Sequence, residues 1–394
     1  MPTVDLLDDP RSLDDLRPEW DELAVACGRP GSAPALLMAW WRHLAPAGAQ
    51  ARVVAVREGG RLVGLAPFLV ERGPRGHPAA RLFGTPSLPQ RTGILAAHGH
   101  EGAVWAGVAE ALGRSLPRPA VISLERIDAA AAWPGALARA WPGPGRARLL
   151  WDFRVPGQVL SMRAGSYDAW MAGRSHNARR DVRRTARRLE VRGGEVVRAD
   201  DADLLERGLE AFGWMHRDRW GARSRLWRPD ALAMLREAGD GLLESRRMRL
   251  YAVEADGQIV ATLILFAAGG EVTAWNGAWR RDWAAARPMM GLFYRAIEEC
   301  FALGDHRLDF GEGDQPYKLR FADGVDPVAW ATLLPRGASY PLMRAATAPR
   351  RLHGRARMAV RRLPPGVQRR LREARRRVRG GGEPLSDGGP ADGP

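Results

Sequence analysis

AVREGGRLVGLAPFLV (residues 55–70) and AVEADGQIVATLILFA (residues 252–267) align without a gap, 197 residues apart. Each reads as two β-prone apolar runs joined at Gly59-Gly60 or Asp256-Gly257. Gly-Gly and Asp-Gly accept the positive φ that a two-residue hairpin turn demands. The flanks repeat as well. A helical stretch precedes each hairpin (34–44 and 229–238), and a strand-like segment and a second helix follow it (101–116 and 288–303). Apolar strands close the two series at 120–127 and 307–310. An element order repeated at fixed spacing marks a duplicated unit. The expected fold class is α/β, with two tandem mixed-sheet units divided as 1–160 and 161–340 and followed by a basic tail over 341–394.

Composition bounds the rest. With 394 residues, two domains and a tail are the ordinary expectation. No run of about 18 apolar residues is present, and the acidic start MPTVDLLDDP lacks a signal-peptide pattern. Cys27 and Cys300 are too far apart for metal-ligand spacing, so neither a disulfide framework nor a metal site is expected. These features together predict a cytoplasmic protein, at most peripheral at the inner face of a membrane.

From residue 341 onward 14 arginines stand against 4 acidic residues, so ten of the fifteen net positive charges lie in the tail. The folded part is therefore only mildly basic. The tail is expected to form two short basic helices split at Pro364-Pro365, then a disordered end. Weak, salt-sensitive docking to anionic membranes is the contact this predicts. Nucleic acid is not expected as a partner, because the tail lacks aromatic residues on which bases could stack.

Among 60 basic residues, one is a lysine, Lys318. A surface charge can be Arg almost anywhere, whereas a compact ammonium with rotatable donors is not replaced by a planar guanidinium. Lys318 lies in LDFGEGDQPYKLRFADG (308–324), where a strand end runs into Gly311 and Gly313 beside Asp309, Glu312, Asp314 and Tyr317. Ligands of α/β sheets bind beyond such strand ends. This segment is the expected centre of chemistry, and the first unit has no equivalent, reading SLERIDAA after its own strand. Other candidates are the helix entry at Arg287-Pro288, Trp275 and Asn276 near a strand end, and the Arg180/Arg184 face of the basic helix in 173–190. His176 and His216 have no nucleophile motif around them.

The basic segment, the hairpin, WNGA, the Pro-started helix and DFGEGDQPYKLRFA resemble the CelD/BcsL-type acetyltransferases. That family lies within the GNAT superfamily, is linked to exopolysaccharide or cellulose synthesis, and is similar in turn to the Fem-type ligases, which pair two GNAT folds. The resemblance covers 166–335, and the Gly-Asp-x-x-Tyr-Lys-x-x-Phe string is its most specific part. It implies two GNAT-like units and acetyl-CoA as acyl donor, bound where two parallel strands splay apart. It implies that the helix start, Arg287, Met289, Met290 and Gly291, holds the pyrophosphate, although RPMMG replaces the usual Arg-x-x-Gly-x-Gly loop. It gives Tyr317 the role of acid toward the departing thiolate and Lys318 that of supporting the reacting carbonyl. Asp309 or Asp314 is the expected base. Arg180, Arg184, Trp275 and Asn276 are expected to hold a small-molecule or glycan-precursor acceptor. The alternatives are a Fem-type transferase drawing on charged tRNA, and a non-catalytic membrane- or nucleic-acid-binding protein.

Overall fold

The computed structural model describes residues 2–370, apart from 89, 144, 222, 223, 362, 364, 365, 368 and 369. Two sheets organise it. In chain order the first takes Thr3–Leu7 (β1), Gln50–Glu58 (β2), Arg61–Arg72 (β3), Pro78–Leu82 (β4), Leu95–Ala96 (β5), Val121–Asp128 (β6) and Ala147–Val155 (β7). The second takes Gly157–Ser161 (β8), Glu195–Arg198 (β9), Met248–Ala255 (β10), Gln258–Ala268 (β11), Glu271–Trp279 (β12), Arg307–Glu312 (β13) and Gly324–Val325 (β14). Val328–Pro335 (β15) returns to the first sheet.

The repeat is borne out at the level of register. Glu58 faces Arg61 across the first turn and Ala255 faces Gln258 across the second. All four turn residues have positive φ: Gly59 +57°, Gly60 +82°, Asp256 +49° and Gly257 +73°. In each unit one pair is then parallel, β4 with β6 and β12 with β13, bridged by the helices Glu101–Arg114 and Pro288–Ala302. A parallel pair needs such a crossover, because a tight turn cannot reverse the chain twice.

The division at 160/161 needs correction. β8 straddles it and pairs with β13 in the second sheet, while β15 inserts between β6 and β7 of the first. Each unit thus donates a strand to the other. β15 is buried along its whole length, which an interior strand covered on both faces requires. The boundary at 340/341 shifts too. Tyr340–Arg361 is one helix packed on β7 and β15, with Met343 fully buried and Arg350 turned inward onto Glu125 (3.0 Å) and Asp152 (3.3 Å). The expected second basic helix and disordered end fall largely outside the described residues.

The equivalent helices Pro34–Leu44 and Pro229–Leu242 pack against each other. Their apolar faces merge the two units into a continuous core holding Leu36, Trp40, Met234, Leu235 and Leu242. Close approach is possible because Gly241 has no side chain; a Cβ there would lie 2.9 Å from that of Ala35. Among the described residues no helix is long and apolar enough to cross a membrane, and Cys27 and Cys300 are both free.

Candidate active site

β12 and β13 pair in parallel only from Glu271–Arg307 to Thr273–Asp309. Beyond that point they separate. On the β12 side a bulge opposite Ile264 and Leu265 re-aims Ala274, Trp275, Asn276 and Gly277. On the β13 side Phe310, Gly311 and Glu312 face them across a pocket of about 360 Å³. Gly311 has φ +76°, a value that a side chain would strain. The pocket's floor is Met289 and Phe293 of the helix Pro288–Ala302, and the turn Pro316–Leu319 supplies Tyr317 and Lys318.

Tyr317 is 8% exposed, with its ring 5.4 Å from that of Phe293. Lys318 is 4% exposed, and its Nζ donates to the Glu312 carbonyl oxygen at 2.7 Å. A buried ammonium must be held by acceptors, so its position in the pocket wall is fixed before any ligand arrives. Opposite lies a group set aside on sequence for want of a nucleophile motif. His216, 4% exposed on the helix Ala202–Trp220, stacks on Trp220 at 4.2 Å and reaches Asn276 and Ser224 at 3.2 Å each. Burial pushes its pKa down to about 4, so the imidazole is neutral at pH 7. Its sequence signal was its place on the buried stripe Leu205, Leu209, Phe212. Trp275, which also lines the pocket, has a buried Nε1 without a hydrogen-bond partner.

The structure does not bring the two expected bases into this pocket. Asp309 is 3% exposed, and its oxygens are occupied: Oδ2 accepts from Arg91 Nε at 2.6 Å and Oδ1 from the Gly311 N–H at 2.8 Å. Asp314 is exposed and lies outside the pocket lining. Of the helix-entry residues, Met289 lines the pocket and Met290 is buried in the core beneath it. Arg287 adopts the left-handed conformation (φ +57°) and donates to Asp181 Oδ1 at 2.8 Å. Gly291 abuts the basic helix His176–Glu190, where a Cβ would meet Leu189 Cδ1 at 2.6 Å.

Arg180 and Arg184 line a second pocket of about 610 Å³ with Arg174, Asp181, Tyr294 and Arg320. Arg320 Nη1 donates to Asp181 Oδ2 at 3.2 Å. The two pockets lie on either side of consecutive residues, Phe293 lining one and Tyr294 the other.

Around this strand separation, crossover helix and pocket, residues 176–319 match a known domain family. They fit the acetyltransferase (GNAT) domain family. The matched segment contains Tyr317, Lys318, His216 and, from the second pocket, Arg180 and Arg184. Solved structures share the fold across both units. FemX aligns with a TM-score of 0.59 at 13% identity, covering 84% of this chain and 98% of that one. The C-terminal domain of a putative lysylphosphatidylglycerol synthetase from Agrobacterium fabrum aligns at 0.52 and 12%, covering 85% and 96%. A conserved protein of unknown function from Bacteroides thetaiotaomicron aligns at 0.50 and 10%, covering 85% and 100%. No curated protein matches the chain. Residues 176–319 thus match the acetyltransferase (GNAT) domain family, and the chain as a whole shares its two-sheet α/β fold with these structures.

Proposed function

We propose that the protein transfers an acetyl group from acetyl-CoA to an amine or hydroxyl acceptor, with the reaction centred between β12 and β13. The observation that carries this reading is the placement of Tyr317 and Lys318 in the wall of the gap where those strands part. A thioester entering the gap would meet a preorganised ammonium for the carbonyl oxygen and a phenol able to protonate the leaving thiolate. The cationic second pocket, one residue further along the helix Pro288–Ala302, suits the phosphates of such a donor or of an anionic acceptor such as a nucleotide sugar. Thiol release from acetyl-CoA tests the reading. Tyr317→Phe and Lys318→Ala each lower turnover; unchanged turnover in both removes the assignments.

The fold likeness to FemX favours a second reading, a Fem-type transferase drawing on charged tRNA. Calorimetry separates the two: saturable binding of acetyl-CoA without tRNA supports the first. Peripheral docking to an anionic membrane through the helix Tyr340–Arg361 is supported by exposed Arg344, Leu352 and Arg355 on it. Vesicle co-sedimentation that is unchanged by removing the chain from residue 341 onward argues against that contact.

A further inference from the structure

The acyl-transfer reading needs a base, and the two carboxylates expected to serve lie elsewhere. Three residues across the pocket from Lys318 make a connected set. The Gly277 N–H donates to Asn276 Oδ1 at 2.8 Å, which fixes the orientation of that amide. Asn276 Oδ1 is therefore the atom facing His216 Nε2 at 3.2 Å, and an oxygen can only accept, so Nε2 carries the proton. The remaining nitrogen, Nδ1, is then a lone pair, and it faces Ser224 Oγ at 3.2 Å. Ser224 must donate there. The same oxygen accepts from the Leu226 N–H at 3.2 Å, which sets the hydroxyl's direction. All three residues line the pocket.

We propose that Ser224, His216 and Asn276 form a proton relay that takes the proton of an amine or hydroxyl acceptor as it attacks the acyl carbon. This rests on the acyl-transfer reading and supplies its missing base. The acceptor oxygen or nitrogen forms a bond to the carbonyl carbon, and the carbon–sulfur bond breaks. The acceptor's proton passes to Ser224 Oγ while the Ser224 proton passes to His216 Nδ1. The thiolate takes the Tyr317 proton, and exchange with solvent returns the proton from His216 to Tyr317. Asn276 Oδ1 holds the Nε2–H throughout and stabilises the imidazolium when it forms. The arrangement mirrors the Ser–His–Asp/Asn sets of hydrolases with the two ring nitrogens exchanged, and Ser224 conducts a proton instead of attacking. The charged neighbour that bears on His216 is Arg219, whose guanidinium disfavours a lasting imidazolium. The proton therefore has to move on within the turnover.

The experiment measures CoA release from acetyl-CoA, with hydroxylamine as surrogate acceptor, across pH 5–9. It compares the full chain with Ser224→Ala, His216→Gln and Asn276→Ala, each checked for an unchanged melting temperature. Ser224 is only half-buried, so its alanine variant tests the proposal even where His216→Gln misfolds. The relay predicts that Ser224→Ala and His216→Gln lower kcat roughly 100-fold or more with little change in the KM for acetyl-CoA. It also predicts that their residual rate climbs with pH as hydroxide replaces the lost base. A kcat within about threefold of wild type, or a change confined to KM, overturns it. So does an acyl group trapped on Ser224 by mass spectrometry, since that makes Ser224 a nucleophile. A wild-type protein that releases no CoA removes the acyl-transfer reading itself, and the relay with it.

Discussion

Arg91 Nε donates to Asp309 Oδ2 at 2.6 Å, joining a loop of the first unit to the strand that opens the pocket of the second. The same guanidinium donates through Nη2 to the Asp326 carbonyl at 2.7 Å, just before β15 crosses back into the first sheet. A second first-unit arginine, Arg126, approaches Glu312 at 3.5 Å in the pocket wall. The first unit thus braces the separated end of β13 through cationic side chains.

Loss of Arg91 strands a buried carboxylate. Arg91→Ala is expected to cost about 3 kcal/mol or more in urea unfolding, the usual outcome when one partner of a buried pair is removed. Asp309→Asn in the same background restores part of that loss by removing the uncompensated charge. Additive single and double variants would show that the two residues do not act as a pair.

His216 makes stability depend on pH. An unfolded imidazole gains its proton near 6.5, whereas His216 in the folded chain gains it only near 4, because burial disfavours the cation. Between those values the unfolded state binds the extra proton. The stabilisation is complete above about 6.5 and is lost as pH falls through 4, by about 3 kcal/mol in total. Urea unfolding at pH 7 and pH 4.5 measures it, and His216→Gln should show a smaller difference between the two.

Lys318→Arg is not conservative at this position. Lys318 is 4% exposed with its ammonium held on the Glu312 carbonyl, and a wider planar guanidinium cannot keep that point contact. Turnover from acetyl-CoA is expected to fall about 100-fold in Lys318→Arg, close to the loss in Lys318→Ala. Full activity in the arginine variant would mean that only charge matters there.

Gly291 sets the distance between the basic helix and the helix Pro288–Ala302. Gly291→Val pushes Leu189 away and is expected to destabilise by about 1–3 kcal/mol, read as a lowered melting temperature. Because Arg287 ties these two helices together through Asp181, and Arg320 reaches the same carboxylate from the end of the turn Pro316–Leu319, the cationic pocket should also lose affinity for phosphate-bearing ligands.

The hairpins, the repeat and the crossover helices were legible because their signals are local: turn residues with positive φ and helix-start prolines. The exchange of β8 and β15 was not. A strand's choice of sheet is decided by edges folded from distant chain, and β15 pairs with β6 and β7 about 170 to 210 residues away. Within the site, Tyr317 and Lys318 stood out because one lysine among arginines is a visible departure. Asp309 stood out for the wrong reason, since its partner Arg91 lies 218 residues upstream. His216 was hidden because its partners, Ser224 and Asn276, lie 8 and 60 residues away and form no linear motif.

Calorimetric titration of acetyl-CoA tests the central claim, that the gap between β12 and β13 is the donor site. Ala274 lines that gap and is only half-buried, so Ala274→Phe can fill the pocket without entering the core. Saturable binding of one acetyl-CoA per chain to the wild type, lost in Ala274→Phe at an unchanged melting temperature, is the result predicted. No binding to the wild type, or equal binding to both proteins, would contradict it.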